Sequence, residues 1–475
     1  MTKLTFYSGL REIGGTVVAI ETQNAVCIFD FGYAYVERMD SKIHLRKGLE
    51  AYDYVKLGVL NAIDGIYEPE VAHKLGIKGY GETDKEVFAI ISHMHIDHMG
   101  ALWALDERMP VYMSSESATL YHELGVMGEL DIREHTNVHS VDYDGSFTVG
   151  DIKVTCVQVD HDVIGACGFL IETSEGSICY TGDYRYHGFH PDISAAFAEK
   201  CKGATLMISE GVTISFADID MLSLEGPVRD RSEWTLLEDM KNRAKEESGL
   251  IVINNYIRNV ERIHRLIGAA AESGRVLALE PKQADYIAAF YPEDEFVIYL
   301  PETAEMDEYE VSLMPKAQDN YGFRGNENVE KLNLPVITKF ISGGENVNNL
   351  VGKSVVTMKD ILEHPSLFIL QQDFKNSYEL YDMADVVSLY VQMDGAPLGD
   401  YDPSYAVFFS MLDGLGINYE RCGLGGHSEP YYLRKQVDTI EPEILVPLHS
   451  FRPEQMKSEH AGKIILPEIG ESIEL

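Results

Sequence analysis

One ten-residue segment constrains this chain more than any other. Ile91–Gly100 reads Ile-Ser-His-Met-His-Ile-Asp-His-Met-Gly, so His93, His95, Asp97 and His98 fall within six positions. The segment follows an apolar run, Val87–Ser92, that reads as a strand. It precedes Ala101–Arg108, which reads as a helix. Side chains alternate on an extended segment, so His93 and His95 point the same way. Asp97 and His98 then lie in the turn that enters the helix. Neutral imidazole nitrogens suit zinc, and a nearby carboxylate suits a second cation of the same kind. Such a chain must deliver a polar cluster at the carboxyl end of an apolar strand.

Further along, Ile152–Val159, Gly168–Glu172, Ser177–Thr181 and Thr205–Ser209 read as strands, with Gly and Asp at the joins. Strands alternating with helices predict a layered α/β fold. Four more polar residues stand just past such strands. They are His161, Asp183 in Thr-Gly-Asp, Glu210 in Ser-Glu-Gly, and His449 in Pro-Leu-His-Ser after Ile444–Leu448. Ligand sites in layered α/β folds gather at the carboxyl ends of strands. Singly, each residue is an ordinary cap, turn or surface residue. Together with His93–His98 they complete a two-metal set.

Leu4–Gly32 reads as paired strands that turn at Gly14 and Gly15, and residues 35–78 read as mixed, largely helical sequence. A second run of helices and strands begins after Gly211. It has helices over Arg231–Glu247 and Asn259–Ser273 and strands over Leu250–Asn254 and Arg275–Leu279. The acidic stretch Glu293, Asp294, Glu295, Glu302, Glu305, Asp307, Glu308 and Glu310 reads as a solvated face or loop. Arg258, Arg262 and Arg265 share one helical face and form a candidate phosphate-tracking stripe.

Charge limits the partners. The chain has 77 acidic and 39 basic residues and a net charge of −38, which opposes non-specific coating of nucleic acid or of an anionic membrane. A narrow metal-lined site escapes that limit, because bound cations reverse the local sign. The apolar runs are far shorter than the ~18 residues of a membrane span. No apolar signal segment opens the chain, and the six cysteines form no CxxC pair. The expectation is a cytoplasmic protein with reduced thiols and no membrane partner.

The His-Met-His-Ile-Asp-His stretch resembles the HxHxDH signature of the metallo-β-lactamase superfamily. Asp30, in Ile-Phe-Asp-Phe-Gly, looks like that superfamily's structural aspartate, and His161 and Asp183 match its next two ligand motifs in order. Glu210 sits where the β-CASP nucleases carry their first extra acidic motif. Asn254–Arg275 resembles the Asn-x-x-Arg region of the bacterial ribonuclease J family. Gly425-Gly426-His427-Ser428 is similar to its Ser-Gly-His-Ala loop, and Pro447-Leu448-His449 to its Pro-Val-His. The likeness covers residues 1–34, 87–285 and 405–455. Three departures stand out. Residues 35–86 do not match, Gly425 replaces the loop serine, and 26 residues follow His449, too few for the extra C-terminal domain of that family.

The resemblance implies a four-layer αββα metallo-β-lactamase fold with an inserted α/β β-CASP domain. Its segments would be 1–211 and 416–475 for the first domain and 212–415 for the insertion. It implies a first metal on His93, His95, His161 and Asp183, and a second on Asp97, His98, Asp183 and His449. These would be two zinc ions, with manganese as the other candidate. Asp97 would take a proton from the attacking water, and His427 would serve the leaving oxygen. Glu210 would orient a site histidine. Asn255, Arg258, Asn259, Gly426 and Ser428 are the implied substrate contacts. The implied activity is hydrolysis of single-stranded RNA, as an endo- or 5′-exonuclease. The rivals are a DNA nuclease and a small-molecule ester, lactone or phosphodiester hydrolase. Oligomeric state is left open, a homodimer among the forms allowed.

Overall fold

The computed structural model of the protein describes residues 1–34, 44–216, 218–303, 306, 308–315 and 322–475. The chain forms two compact units. The first comprises Met1–Tyr121, Leu130–Asp230 and Gly426–Leu475. The second comprises His122–Glu129 and Arg231–Gly425. The divisions fall after Asp230 and Gly425, where the sequence pattern suggested residues 211 and 415.

The first unit holds two seven-stranded sheets. One runs in the order Ser472–Glu474, Lys3–Ser8, Val17–Glu21, Ala25–Phe29, Glu86–Ile91, Val111–Ser114, Val138–Val141. The other runs Lys463–Ile464, Ile444–Leu448, Leu206–Glu210, Ser177–Tyr180, Cys167–Glu172, Ile152–Gln158, Ser146–Val149. Their inner faces share one core. Phe6, Ile20, Phe29, Phe88 and Ile90 meet Val154, Phe169, Ile178, Ile208 and Val446 there, all 1 % exposed or less. Register then decides where polar residues emerge. Ala25–Phe29 and Glu86–Ile91 run parallel, so Asp30 and His93 leave the first sheet side by side. Ser177–Tyr180, Leu206–Glu210 and Ile444–Leu448 are parallel neighbours, so Asp183, Glu210 and His449 leave the second sheet together.

The second unit is built on a seven-stranded sheet whose strands are all parallel. Its order is Val355–Val356, Val297–Tyr299, Val276–Leu279, Phe368–Gln371, Leu250–Asn255, Val387–Met393, Tyr419–Arg421. Strands such as Val-Leu-Ala-Leu and Phe-Ile-Leu-Gln are buried along their whole length, as parallel strands covered on both faces must be. Helices Glu233–Glu246, Val260–Glu272, Pro281–Phe290 and Pro403–Leu415 belong to this unit. The amphipathic Val260–Glu272 is capped by Asn259, whose side chain accepts from Arg262 N.

Some local expectations change. Ala101–Arg108 is not one helix. A short helix, Ile96–Met99, and a 3₁₀ turn, Leu102–Ala104, take its place. The Asp106 carboxylate binds the backbone N and guanidinium of Arg108, a local bond that competes with helix. Within residues 35–78, helices Glu50–Leu57 and Pro69–Leu75 each stop at a left-handed glycine, Gly58 and Gly76. Residues 35–43 lie outside the described residues. The acidic stretch is only partly loop, for it includes strands Val297–Tyr299 and Tyr309–Met314; Glu305 and Asp307 are outside the described residues. All six cysteines are buried and unpaired. No described helix is long and apolar enough to cross a membrane.

Candidate metal centre

The strand Glu86–Ile91 is buried from Val87 onward and gives way to Ser92 and His93. His95 is the N-cap of Ile96–Met99, in extended conformation, so the chain bends between the two histidines and the short helix that carries Asp97 and His98. Two glycines let this turn sink into the fold. A Cβ on Gly32 would lie 2.1 Å from the Asp97 carbonyl carbon, and one on Gly14 would lie 2.7 Å from Asp97 Cβ.

The first donor group is His93, His95, His161 and Asp183. His93 Nε2 lies 3.1 Å and His161 Nε2 3.2 Å from His95 Nδ1, and Asp183 Oδ2 lies 3.7 Å from His93 Nε2. Neighbouring bonds set the ring protons. Ser92 Oγ donates to Asp30, so it accepts from His93 Nδ1 at 2.9 Å. His161 Nδ1 donates to the Gly426 carbonyl at 2.7 Å. His95 Nε2 faces Asp162 Oδ1 at 3.3 Å. Three imidazole lone pairs therefore face one another, an arrangement that repels itself unless a cation sits among them.

The second donor group is Asp97, His98 and His449; two of its rings, His98 and His449, also face Asp183 Oδ2, and a third group joins Asp183 to His427 and His449. His98 Nδ1 donates to Asp30 Oδ2 at 2.7 Å, which turns Nε2 to Asp183 Oδ2 at 3.2 Å and Asp97 Oδ2 at 3.6 Å. Asp30 also accepts from Ser92 N at 2.7 Å and from the Tyr180 hydroxyl. It adopts φ of 56°, as His449 does 53°. Left-handed backbone at non-glycine residues is strain of the kind functional sites retain. His449 is held differently from the other rings. Its Nδ1 accepts from Gly14 N at 3.1 Å, which leaves the proton on Nε2, facing Asp183 and Asp97 at 3.5 and 3.6 Å. To ligate a metal through Nε2, His449 must give up that contact.

Four buried polar atoms that converge here have no hydrogen-bond partner: His98 Nε2, Asp183 Oδ2, His427 Nδ1 and His449 Nε2. Buried polar atoms are rarely left so, and all are nitrogen or oxygen donors that suit zinc or manganese. The residues thus fit a divalent-metal centre with Asp183 common to two of the groups. Protonation agrees. Burial, then the neighbouring imidazoles, holds His93 well below its ordinary value. Burial takes His161 down to about 3 against the pull of Asp162. Burial opposes ionisation of Asp183, yet His449 and His98 hold it well below the carboxylate range. Neutral imidazole and ionised carboxylate are the ligand forms.

His427 and Glu210 stand at the edge. His427 Nδ1 is 3.6 Å from Glu210 Oε2 and 3.7 Å from Asp183 Oδ2. Burial disfavours its charge, but Asp183 and Glu210 raise it to about 9. Glu210 accepts from Val212 N and Ser428 N at 2.9 and 3.2 Å, so it also shapes the His427 loop. Gly426 must be glycine: a Cβ would stand 2.5 Å from both His161 Cε1 and Asp162 Oδ1. Ser428 is fully buried.

Asn255, Arg258 and Asn259 belong to the second unit and are buried. Asn255 Oδ1 accepts from Arg262, and Asn259 Nδ2 reaches Glu233. The arginine stripe does not form. Arg262 is 1 % exposed and paired with Glu233 and Asp394, while Arg265 pairs with Glu261 and lies over the Trp234 ring. Its spacing is right, but its middle member, Arg262, points inward while Arg265 stays partly exposed. Asp162, which orients His95, escaped sequence reasoning; its only signal is its place beside His161 at a strand end.

Residues 72–223 match the model of the beta-lactamase superfamily domain. Ribonuclease J 2 of Streptococcus pyogenes serotype M3 is 23% identical over 291 residues, 60% of this chain and 46% of its own length. Ribonuclease J of Helicobacter pylori strain J99 is 24% identical over 284 residues, 58% of this chain and 36% of its own. The matched part spans less than half of these relatives. A crystal structure of a protein of unknown function from Enterococcus faecalis V583 matches over 99% of both chains, with a TM-score of 0.75 and 27% identity. The architecture is a metallo-β-lactamase-type α/β fold with an inserted α/β unit.

Proposed function

We propose that this chain is a ribonuclease of the β-CASP type that hydrolyses phosphodiester bonds in single-stranded RNA. The observation that carries the reading is Asp183, shared by two donor groups with His427 and Glu210 beside it. His93, His95, His161 and Asp183 would hold one divalent cation. Asp97, His98, Asp183 and His449 would hold the other, zinc before manganese. Such a pair, when bound, neutralises phosphate charge and lowers the pKa of water toward ~7. Asp97 orients the attacking water and takes its proton. His427, beside Asp183 and Glu210, delivers a proton to the leaving oxygen. The Gly426–Ser428 loop contacts the phosphate, and Asn255, Arg258 and Asn259 are further proposed substrate contacts. The likeness to two proteins named ribonuclease J supports RNA as substrate. The net charge of −38 favours the rival reading, a small-molecule ester or phosphodiester hydrolase.

The test is cleavage of end-labelled, 5′-monophosphorylated single-stranded RNA with zinc or manganese supplied. Matched DNA and a generic thioester or lactone run beside it. RNA should be degraded by the natural chain and spared by Asp97→Ala and His427→Ala. Intact RNA with a hydrolysed ester would move the assignment to the rival. Preferential cleavage of DNA would keep the chemistry and change the substrate.

A further inference from the structure

Resting on the nuclease reading, we infer that Phe216 and Phe451 form a stacking corner for one nucleobase of the substrate strand, beside the loop that carries His449.

Strand pairing in the first unit brings the two rings together. Leu206–Glu210 and Ile444–Leu448 are parallel neighbours, in register as far as Glu210 opposite Leu448. The first strand runs into Gly211 and the 3₁₀ turn Thr213–Ser215, and Phe216 follows that turn. The second runs into His449 and Ser450, and Phe451 follows them. The two connections lie close, for a Cβ on Gly211 would stand 3.3 Å from Ser450 Cβ. Phe216 and Phe451, far apart in sequence, therefore meet with ring centroids 6.3 Å apart.

Buried hydroxyls hold the rings in place. Ser215 Oγ and Ser450 Oγ are hydrogen-bonded at 3.0 Å. Ser215 Oγ also accepts from Phe451 N at 3.0 Å, and Ser450 Oγ from Arg452 N at 3.1 Å. Both serines are buried, and a satisfied buried network of this kind fixes the backbone that carries it. The rings themselves lie outside the core, Phe216 70 % and Phe451 46 % exposed. Among the described residues of the first unit they are the only largely exposed Phe, Tyr or Trp. Single exposed apolar residues need no explanation. A braced pair of rings beside a polar centre does.

Geometry and position name the occupant. The ring planes stand at 86° to each other and form a corner. A flat π-system laid on one ring meets the other with its edge, and aromatic groups favour both contacts. Neither ring offers a hydrogen bond, so the corner takes any base, and stacking of this kind is tolerant of sequence. Stacking also needs no charge. That suits a chain of net charge −38 in which the next residue, Arg452, is already paired with Asp218. Phe451 stands two residues beyond His449, so its Cα lies within ~7 Å of that ligand's Cα. A base in the corner therefore belongs to a nucleotide near the phosphate at the metal centre. Two rings fall far short of the ~800 Å² per partner of a stable protein interface, which favours a base over a second chain.

The test is an abasic scan with the full chain and zinc or manganese supplied. Single-stranded RNA carries one abasic nucleotide, moved stepwise along the strand from one cleavage site, and KM and kcat are measured at each position. DNA is scanned instead if DNA is the strand cut. In the natural chain, one abasic position near the cut should raise KM about 5–150-fold with kcat little changed, as loss of one stacked base does. In Phe216→Leu and in Phe451→Leu that position should no longer matter, and Phe451→Trp should keep the dependence. The scan of the natural chain needs no variant, so misfolding cannot mask it, and unfolding midpoints check the variants. Equal KM at every position, or a dependence that survives either leucine variant, would overturn the inference and leave the nuclease reading standing. So would sedimentation in which Phe451→Leu splits a larger natural assembly, for the pair would then be a contact between copies. RNA and DNA both left uncut would end the nuclease reading and this inference with it.

Discussion

In the second unit, Arg262 is 1 % exposed and its whole guanidinium is matched. Nε and Nη2 reach Glu233 at 2.8 Å each, Nη2 reaches Asp394 at 3.0 Å, and Nη1 reaches the Met393 carbonyl at 3.0 Å and Asn255 at 3.3 Å. In the first unit Asp183 is as deeply buried, yet its Oδ2 has no hydrogen-bond partner although four histidines come within 3.7 Å. Both clusters put charge where water is scarce. One is complete and braces the strand ends of its sheet. The other lacks what would hold it together, and that incompleteness marks it as a binding centre.

The contrast can be broken most forcefully at Asp183. Asp183→Asn should lower hydrolysis by at least about 1,000-fold, as loss of a central catalytic group does, and should reduce metal bound per chain by elemental analysis. Full metal content in this variant would mean the two donor groups are independent. Next comes the brace. Arg262→Met leaves Glu233 as a fully buried charge without its ion-pair partner and should cost about 3–5 kcal/mol in urea unfolding. Adding Glu233→Gln and Asp394→Asn should recover much of that, and a loss below about 1 kcal/mol in the single variant would refute the brace.

A smaller effect sharpens the comparison at its edge. Asp162→Asn should weaken metal binding about 10–100-fold, as loss of an outer partner of a metal-binding histidine does, with little change in unfolding. Metal affinity equal to the natural chain would remove Asp162 from the centre. The smallest effect tests a buried acid in neither cluster. Burial, with Glu123 adding to it, raises Asp285 to about 8, whereas the unfolded chain releases that proton near pH ~4. The folded state therefore holds the extra proton between those values, and stability falls as pH rises from about 4 to 8. Asp285→Asn should stabilise the chain by about 1–2 kcal/mol at pH 8 and by nothing measurable at pH 4. A variant stabilised equally at both pH values would show that the charge is not the cause.

The candidate donor cluster could be picked out in the sequence because its residues follow a rule of position as well as type. His93 and His95 alternate on an extended segment, and Asp183, Glu210 and His449 each stand at or past the end of a buried strand. The layered α/β character was legible from the alternation of strands with helices. Spacing alone could not say which way a helix faces. Arg258, Arg262 and Arg265 have the right interval, but Glu233 and Asp394, distant in sequence, decide that Arg262 points inward. Asp162 was hidden because its role depends on the ring of His95, and the left-handed backbone of Asp30 and His449 leaves no mark in residue type. The helix expected over Ala101–Arg108 failed on one side chain, Asp106, folding back on its own turn.

The last instalment of the first unit, Gly426–Leu475, comes only after the whole Arg231–Gly425 segment, and the unit's second sheet is left open until then. Leu206–Glu210 takes Ile444–Leu448 as its parallel neighbour, a strand that follows the whole Arg231–Gly425 segment. At about 5–20 residues per second of synthesis, that strand edge stays unpaired for about 12–48 s, a standing invitation to wrong pairing. His427 and His449 are then the last of the cluster's residues to leave the ribosome, so a nascent chain carries its first donor group long before it can finish the second.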